Sequence, residues 1–207
     1  MDLQFHGANC LSVSYKGARI VIDDNLAELG SKSIIKPEDV ALYTSNHKES
    51  SARLTFDGPG EYEVSDISII GIAAQSHLEE SKNIFNNTMF KLIAGEQSIL
   101  VTGHVFPGLN DNQLEVIGHV DVLVVPVGGK GFTVDPVGAL QIIKAIEPKI
   151  VVPTHFADKS LKYEVPQEDL SQALKEMGFE PKETVSKLKL KSTELSEVTH
   201  IIVLERV

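Results

Sequence analysis

Four positions that can do chemistry stand just beyond apolar runs of the sequence. Residues 19–22 run into Asp23, residues 40–44 reach His47 by way of Ser45-Asn46, residues 98–102 lead into Gly103-His104, and residues 149–153 into Thr154-His155. If the runs are strands, these residues sit where layered α/β proteins hold ligands, beyond the carboxyl ends of the sheet, on loops that the strands keep rigid. Imidazole and carboxylate are donors for zinc, iron or manganese. His47, His104 and His155 brought to one point would give a metal three nitrogen ligands. An open position would remain for a water whose pKa falls toward neutral, which is the equipment of a hydrolase. Each residue also has a structural reading. A histidine after a strand is commonly a hydrogen-bonded loop residue, and Asp23 with Asp24 can cap a turn. His77 lies in a polar stretch over residues 75–82. His6, His119 and His200 read as structural or surface residues, and the lone Cys10 as a small buried filler.

The elements that must position these residues change character along the chain. The first hundred residues carry short β-type runs at 3–5, 11–15, 19–23, 40–44, 52–56, 67–72, 88–93 and 98–102, most of them punctuated by Gly, Pro, Asn or Asp. Residues 120–127 and 149–153 are instead continuously apolar, as strands buried on both faces are. Between them Asp135 can cap a helix with Pro136 in its first turn. Val137, Leu140, Ile143 and Ile146 share a stripe, and Pro148 stops it. Strand, helix, strand is a right-handed crossover unit. A second helix is expected over residues 166–177 with Gly178 as its stop, and a short helical turn over 111–117. Lys187-Leu188-Lys189-Leu190-Lys191 alternates as an edge strand protected by lysines, and residues 200–204 form a last strand.

Composition narrows the function classes. The chain has 207 residues, 42% of them hydrophobic and 23% charged. That suits one globular domain over residues 1–207, with roughly 70% of the unfolded surface buried. A net charge of −10 argues against nucleic acid or an anionic membrane as partner, since phosphate binding relies on clustered Lys and Arg. One cysteine permits neither an intramolecular disulfide nor a Cys-type zinc cage. The first twenty residues lack the apolar core of a signal peptide, and no run approaches the ~20 apolar residues of a spanning helix. A cytoplasmic protein is expected.

Several stretches together resemble the metallo-β-lactamase superfamily, and within it the small hydrolases similar to ascorbate-phosphate lactonase. They are Gly7-Ala8-Asn9-Cys10, Arg19-Ile20-Val21-Ile22-Asp23, Gly58-Pro59-Gly60-Glu61-Tyr62-Glu63-Val64, the run from Asp121 through Pro126-Val127-Gly128-Gly129, and Pro148-Lys149-Ile150-Val151-Val152-Pro153-Thr154-His155-Phe156. The resemblance spans roughly residues 1–180 and implies a four-layer αββα sandwich of the α/β class. Its departures matter as much. The family's metal loop reads His-x-His-x-Asp-His, where this chain has Ser45-Asn46-His47-Lys48-Glu49-Ser50. Only the second histidine is kept, with Glu49 at the aspartate position. The family's metal-bridging Gly-Asp is here Gly103-His104, while its last histidine matches His155 and its middle histidine falls near His77, shifted by about one residue.

The resemblance therefore implies a hydrolase with an incomplete metal site. One zinc or other divalent ion would be held by His47, His104 and His155, with Glu49 as ligand or general base acting on a lactone, ester or phosphoester. The extra methylene of Glu49 displaces its carboxylate by ~1.5 Å relative to Asp, which is large where first-shell geometry must hold to about 0.5 Å. Two other readings stand beside it. One is a catalytically inactive relative, a pseudoenzyme of the same fold, that keeps the cleft for a small ligand or keeps only a surface for assembly; the other is an unrelated α/β binding module. By the same resemblance a homo-oligomer is expected.

Overall fold

In a computed structural model, residues 1–47, 49–77, 86–190 and 198–207 are described. Lys48 of the metal-loop position, residues 78–82 of the polar stretch around His77, and Lys191 lie outside them. The strands are β1 (Asp2–Gly7), β2 (Cys10–Tyr15), β3 (Ala18–Ile22), β4 (Val40–Leu42), β5 (Leu54–Phe56), β6 (Gly60–Val64), β7 (Ile67–Ala74), β8 (Asn87–Ala94), β9 (Gln97–Val101), β10 (Val122–Pro126), β11 (Ile150–Thr154), β12 (Pro181–Val185), β13 (Leu188–Lys189) and β14 (His200–Leu204). The helices are α1 (Asp111–Ile117), α2 (Pro136–Ile146) and α3 (Leu170–Met177).

Two sheets face each other. One has the order β13-β1-β2-β3-β4-β5, the other β12-β14-β11-β10-β9-β8-β7-β6. Period-two alternation explains how the larger sheet is buried twice. Val122, Val124 and Val152 join Leu11, Ile20, Ile22 and Leu42 of the smaller sheet in the core between the sheets. Leu123, Val125 and Val151 turn outward onto Ala139, Ile142, Ile143, Ala173 and Leu174 of the helices. The outer face of the smaller sheet is covered by irregular chain: Leu26, Leu29, Ile34, Ile35, Leu161 and Tyr163 pack over Cys10 and Val21. The expected α/β sandwich of two central sheets is thus present, and Cys10 is a fully buried filler as anticipated.

Strand direction delivers the site. β3, β4 and β5 run parallel in one sheet; β9, β10, β11, β14 and β12 do so in the other. Asp23, His47, His104 and His155 follow the carboxyl ends of β3, β4, β9 and β11. The two sheets touch at this end, where the Thr88 amide donates to the Thr44 carbonyl over 2.8 Å.

The helix signals hold, with corrections. Asp135 accepts from the Gly138 amide at 2.7 Å, with Pro136 in the first turn. The buried face of α2, however, is Pro136, Gly138, Ala139, Ile142 and Ile143, and Val137 is 69% exposed. Gly138 explains the rotation: a Cβ there would stand 2.7 Å from Pro107, so this face lies flat on the loop below. α3 begins at Leu170 rather than near residue 166, because Asp169 caps it through the Ser171 amide. The lysine-rich alternation pairs with β1 at the edge of the smaller sheet over Leu188–Lys189.

Candidate functional site

His155 begins the site. It follows the fully buried β11 in a left-handed conformation (φ 51°) and is 2% exposed. Its amide donates to the Ala8 carbonyl at 2.8 Å, tying β11 to the β1–β2 turn. On the ring, Nδ1 lies 3.1 Å from Gln167 Oε1. Gln167 gives its own Nε2–H to the Val165 carbonyl at 2.7 Å, so its oxygen faces the imidazole and Nδ1 carries the proton. Burial holds the His155 pKa down at about 4, and the ring is neutral at pH 7.

His104 stands beside it, with ring centroids 4.7 Å apart and planes near perpendicular. Gly103 places it there: φ is +63°, and a Cβ at this position would lie 2.1 Å from Thr44 Oγ1, so only glycine lets β9 approach the end of β4. The His104 carbonyl accepts from the His77 amide at 2.9 Å and from Asn87 Nδ2 at 2.7 Å. Both ring nitrogens are engaged. Thr154 Oγ1 donates to Asn9 Oδ1 at 2.9 Å, which turns Asn9 Nδ2 toward His104 Nε2 at 3.1 Å. An amide nitrogen can only donate, so Nε2 accepts, and the proton sits on Nδ1, 2.7 Å from Thr133 Oγ1. Desolvation, then the neighbouring His155 and His77, keep the His104 pKa well below the ordinary histidine range. Phe132 closes this side, stacked on His155 at 5.8 Å and edge-on to His104 at 5.7 Å.

Asp23 supports the floor. At φ 52° its carboxylate turns back to accept from the Thr44 amide and hydroxyl, both at 2.7 Å. It is 6% exposed, and burial raises its pKa to about 6 against the opposing Thr44 bonds and nearby His47.

His47 and Glu49 line a cavity of about 460 Å³ that also reaches His104 and Asn9. His47 is stacked on Tyr43 with ring centroids 3.9 Å apart, and its Nε2 lies 3.3 Å from Asp57 Oδ2. Glu49 is exposed. The structure thus pairs His104 with His155 and sets His47 in the wall of the adjoining cavity. Among the described residues no group of three or more His, Cys, Asp or Glu side chains is placed to hold a metal ion. The donor set in this arrangement does not fit a metal: one imidazole has spent both nitrogens and another is turned to Asp57. Asn9, Thr133, Thr154 and Gln167, which set proton positions on both rings, are neutral residues that no titratable-residue pattern singles out. Asn9 and Thr154 lie within stretches noted for their resemblance.

Comparison with known proteins agrees with the architecture. A Thermotoga maritima protein of the metallo-β-lactamase superfamily is 24% identical, covering 99% of this chain and 98% of its own, with a TM-score of 0.74. The metallo hydrolase Igni18 from Ignicoccus hospitalis is 16% identical over 86% of this chain and 90% of its own, with a TM-score of 0.56. CmlA, a diiron β-hydroxylase from Streptomyces venezuelae, is 14% identical over 83% of this chain and 48% of its own, at 0.58. At these identities the likeness is one of fold. No curated protein matches the chain significantly. No helix among the described residues is long and apolar enough to cross a membrane. The family model for the beta-lactamase superfamily domain matches residues 2–155, and with its two facing sheets and strand-end site the chain belongs to that superfamily, in the metallo-β-lactamase fold.

Proposed function

We propose that this chain is a metal-free member of its superfamily whose strand-end cleft binds a small polar molecule. The observation that carries the reading is the state of His104. A histidine that ligates a metal offers one unshared lone pair, at about 2.0–2.1 Å from a zinc ion. The chain Thr154–Asn9–His104–Thr133 gives that lone pair to an amide donor and the ring proton to a hydroxyl. Asn9 and Gln167 supply to the two imidazoles what a metal and its outer shell would otherwise supply: fixed tautomers and orientations. Within the superfamily, the stretches over residues 58–64 and 126–129 support placing the chain nearest the small hydrolases similar to ascorbate-phosphate lactonase.

The test is zinc stoichiometry. Protein stripped with a chelator and dialysed against zinc chloride is expected to keep no stoichiometric zinc on elemental analysis. Nor is it expected to accelerate hydrolysis of p-nitrophenyl acetate, a γ-lactone or p-nitrophenyl phosphate. One retained equivalent overturns the reading. The second reading is a mononuclear hydrolase, favoured by His155: with its proton held on Nδ1 by Gln167, the Nε2 lone pair has the tautomer of a ligating histidine. One zinc per chain, lost in His155→Ala and accompanied by hydrolysis, selects that reading, with His47 and His104 as further ligands and Glu49 as its general base.

A further inference from the structure

Three rings enclose His155, and they are not held alike. His104 follows β9 and has both ring nitrogens bonded. Tyr163, at 5.2 Å between ring centroids, donates its hydroxyl proton to the Phe156 carbonyl at 3.1 Å. Phe132, stacked on His155 at 5.8 Å, is 39% exposed. It ends an exposed run, Lys130-Gly131-Phe132, set between two buried residues, Gly129 and Thr133. Gly129, Lys130 and Gly131 are left-handed in succession, at φ 56°, 57° and 79°. Glycine takes that conformation freely and lysine does not. An ion pair holds the lysine there: its Nζ lies 2.6 Å from Glu168 Oε2, with the two side chains 50% and 19% exposed. Glu168 is fixed in turn, since its amide donates to the Gly128 carbonyl at 2.8 Å, and it follows Gln167, which orients His155. Nothing stands within 4 Å of where a Cβ on Gly131 would be. An exposed, glycine-jointed run thus carries the one removable wall of His155.

The atom that such a wall guards is unused. With its proton on Nδ1, His155 has a lone pair on Nε2. That nitrogen accepts no hydrogen bond from the described residues, and it is not sealed in the interior. Acceptors on buried side chains ordinarily have a donor, and this one takes an N–H or O–H. We infer that residues 130–132 form a flap, latched shut by Lys130 on Glu168, whose opening gives the small polar ligand of the cleft its way to His155 Nε2. The inference rests on the metal-free reading above, which leaves that lone pair open.

Diethyl pyrocarbonate acylates the lone pair of a neutral imidazole. Its rate at His155 in chelator-treated full-length protein at pH 7, read by peptide mass spectrometry against N-acetylhistidine added to the same sample, reports how readily the flap opens. Phe132→Ala is expected to raise that rate about fivefold or more, the weight of one aromatic pair. Glu168→Gln, which keeps Phe132 in place and breaks only the latch, is expected to raise it about two- to fivefold. Sodium chloride at about 1 M is expected to speed wild type by a similar factor and to leave Glu168→Gln unmoved, because salt screens an exposed ion pair. Folding of each variant is checked by amide dispersion; if Phe132→Ala unfolds, Glu168→Gln and the salt response decide. An unchanged rate in Phe132→Ala overturns the proposal. A gain there without one in Glu168→Gln also overturns it, since Phe132 is then a fixed wall. Stoichiometric zinc that depends on His155 would instead overturn the metal-free reading, whatever the acylation rates of stripped protein.

Discussion

Asp23 offers the sharpest quantitative test of the site's floor. Its carboxyl pKa is raised from 3.8 to about 6 by burial. At about 1.4 kcal/mol per unit, that is about 3 kcal/mol of differential stability. With 6% exposure the solvent does little to screen it. The sign follows from the protons. Between pH 3.8 and about 6 the folded chain keeps the Asp23 proton while the unfolded chain has lost it, so stability falls as pH rises through this window and is level above it. His155 works the other way: folded it stays neutral down to about 4, unfolded it protonates below 6.5, so it removes stability as pH falls. The two trends oppose each other in wild type. Asp23→Asn removes only the first, since an amide can still accept from the Thr44 amide and donate to its hydroxyl. Urea unfolding followed by circular dichroism at pH 4, 5, 6 and 7 gives the difference between wild type and Asp23→Asn. Wild type is expected to be favoured by about 2.4 kcal/mol more at pH 4 than at pH 7, since the unfolded carboxyl is already partly protonated at pH 4. A difference constant to within about 0.5 kcal/mol, or one of opposite sign, refutes the assignment of a buried, proton-holding carboxyl.

Three further outcomes follow. Gly103→Ala forces a methyl to 2.1 Å from Thr44 Oγ1 at φ +63°; a loss of about 2–4 kcal/mol in urea unfolding is expected, and a loss under about 1 kcal/mol would mean the β9–β4 approach is not tight. Asn9→Ala frees the His104 Nε2 lone pair, so zinc affinity measured by competition with a chromophoric chelator is expected to rise at least about tenfold; no change removes Asn9 from the account. Gln167→Leu strips the acceptor from His155 Nδ1, and NMR titration is expected to find its pKa, already about 4, lower still.

Much of the frame was legible because burial leaves a pattern. The apolar runs at β10 and β11 predict strands covered on both faces, and Leu123 against Val124 is that prediction in detail. Asp135 and Pro136 begin α2 as their chemistry requires. β12 escaped notice because Pro181–Val185 is an edge strand with four of five residues exposed, so no buried face imprints an alternation. The inward stripe on α2 was misplaced by Val137, since a small residue, Gly138, makes the closest contact and hydropathy gives a glycine no weight. At the site, strand-end logic found His104 and His155 but not their partners. Asn9 is 95 residues from His104 in sequence and Thr133 is 29 from it; amides and hydroxyls acquire a role only from what folding sets beside them. His47 was grouped with the other two by its place after β4, yet Tyr43 and Asp57 on its own side of the cavity hold its ring.

The same feature explains how a metal-type site can be rebuilt without metal. Two neutral imidazoles packed edge to face in a buried pocket each need one donor and one acceptor. A carboxylate supplies only acceptors, and a cation only donors, so either would drag a charge into the pocket. An amide supplies both without charge, and Asn9 and Gln167 are amides, each steered by a further bond, to Thr154 and to the Val165 carbonyl. The charge is found instead one step away, where four carboxylates line the cavity past His104. If neutral pairing at His104 keeps metal from the site and the carboxylates beside it do not, the two must be separable by mutation. Asn9→Ala would raise zinc affinity, and Asp24→Asn would leave it unchanged. Equal changes from the two variants would show that the cavity and the histidine pair form one undivided site, and the separation argued here would fall.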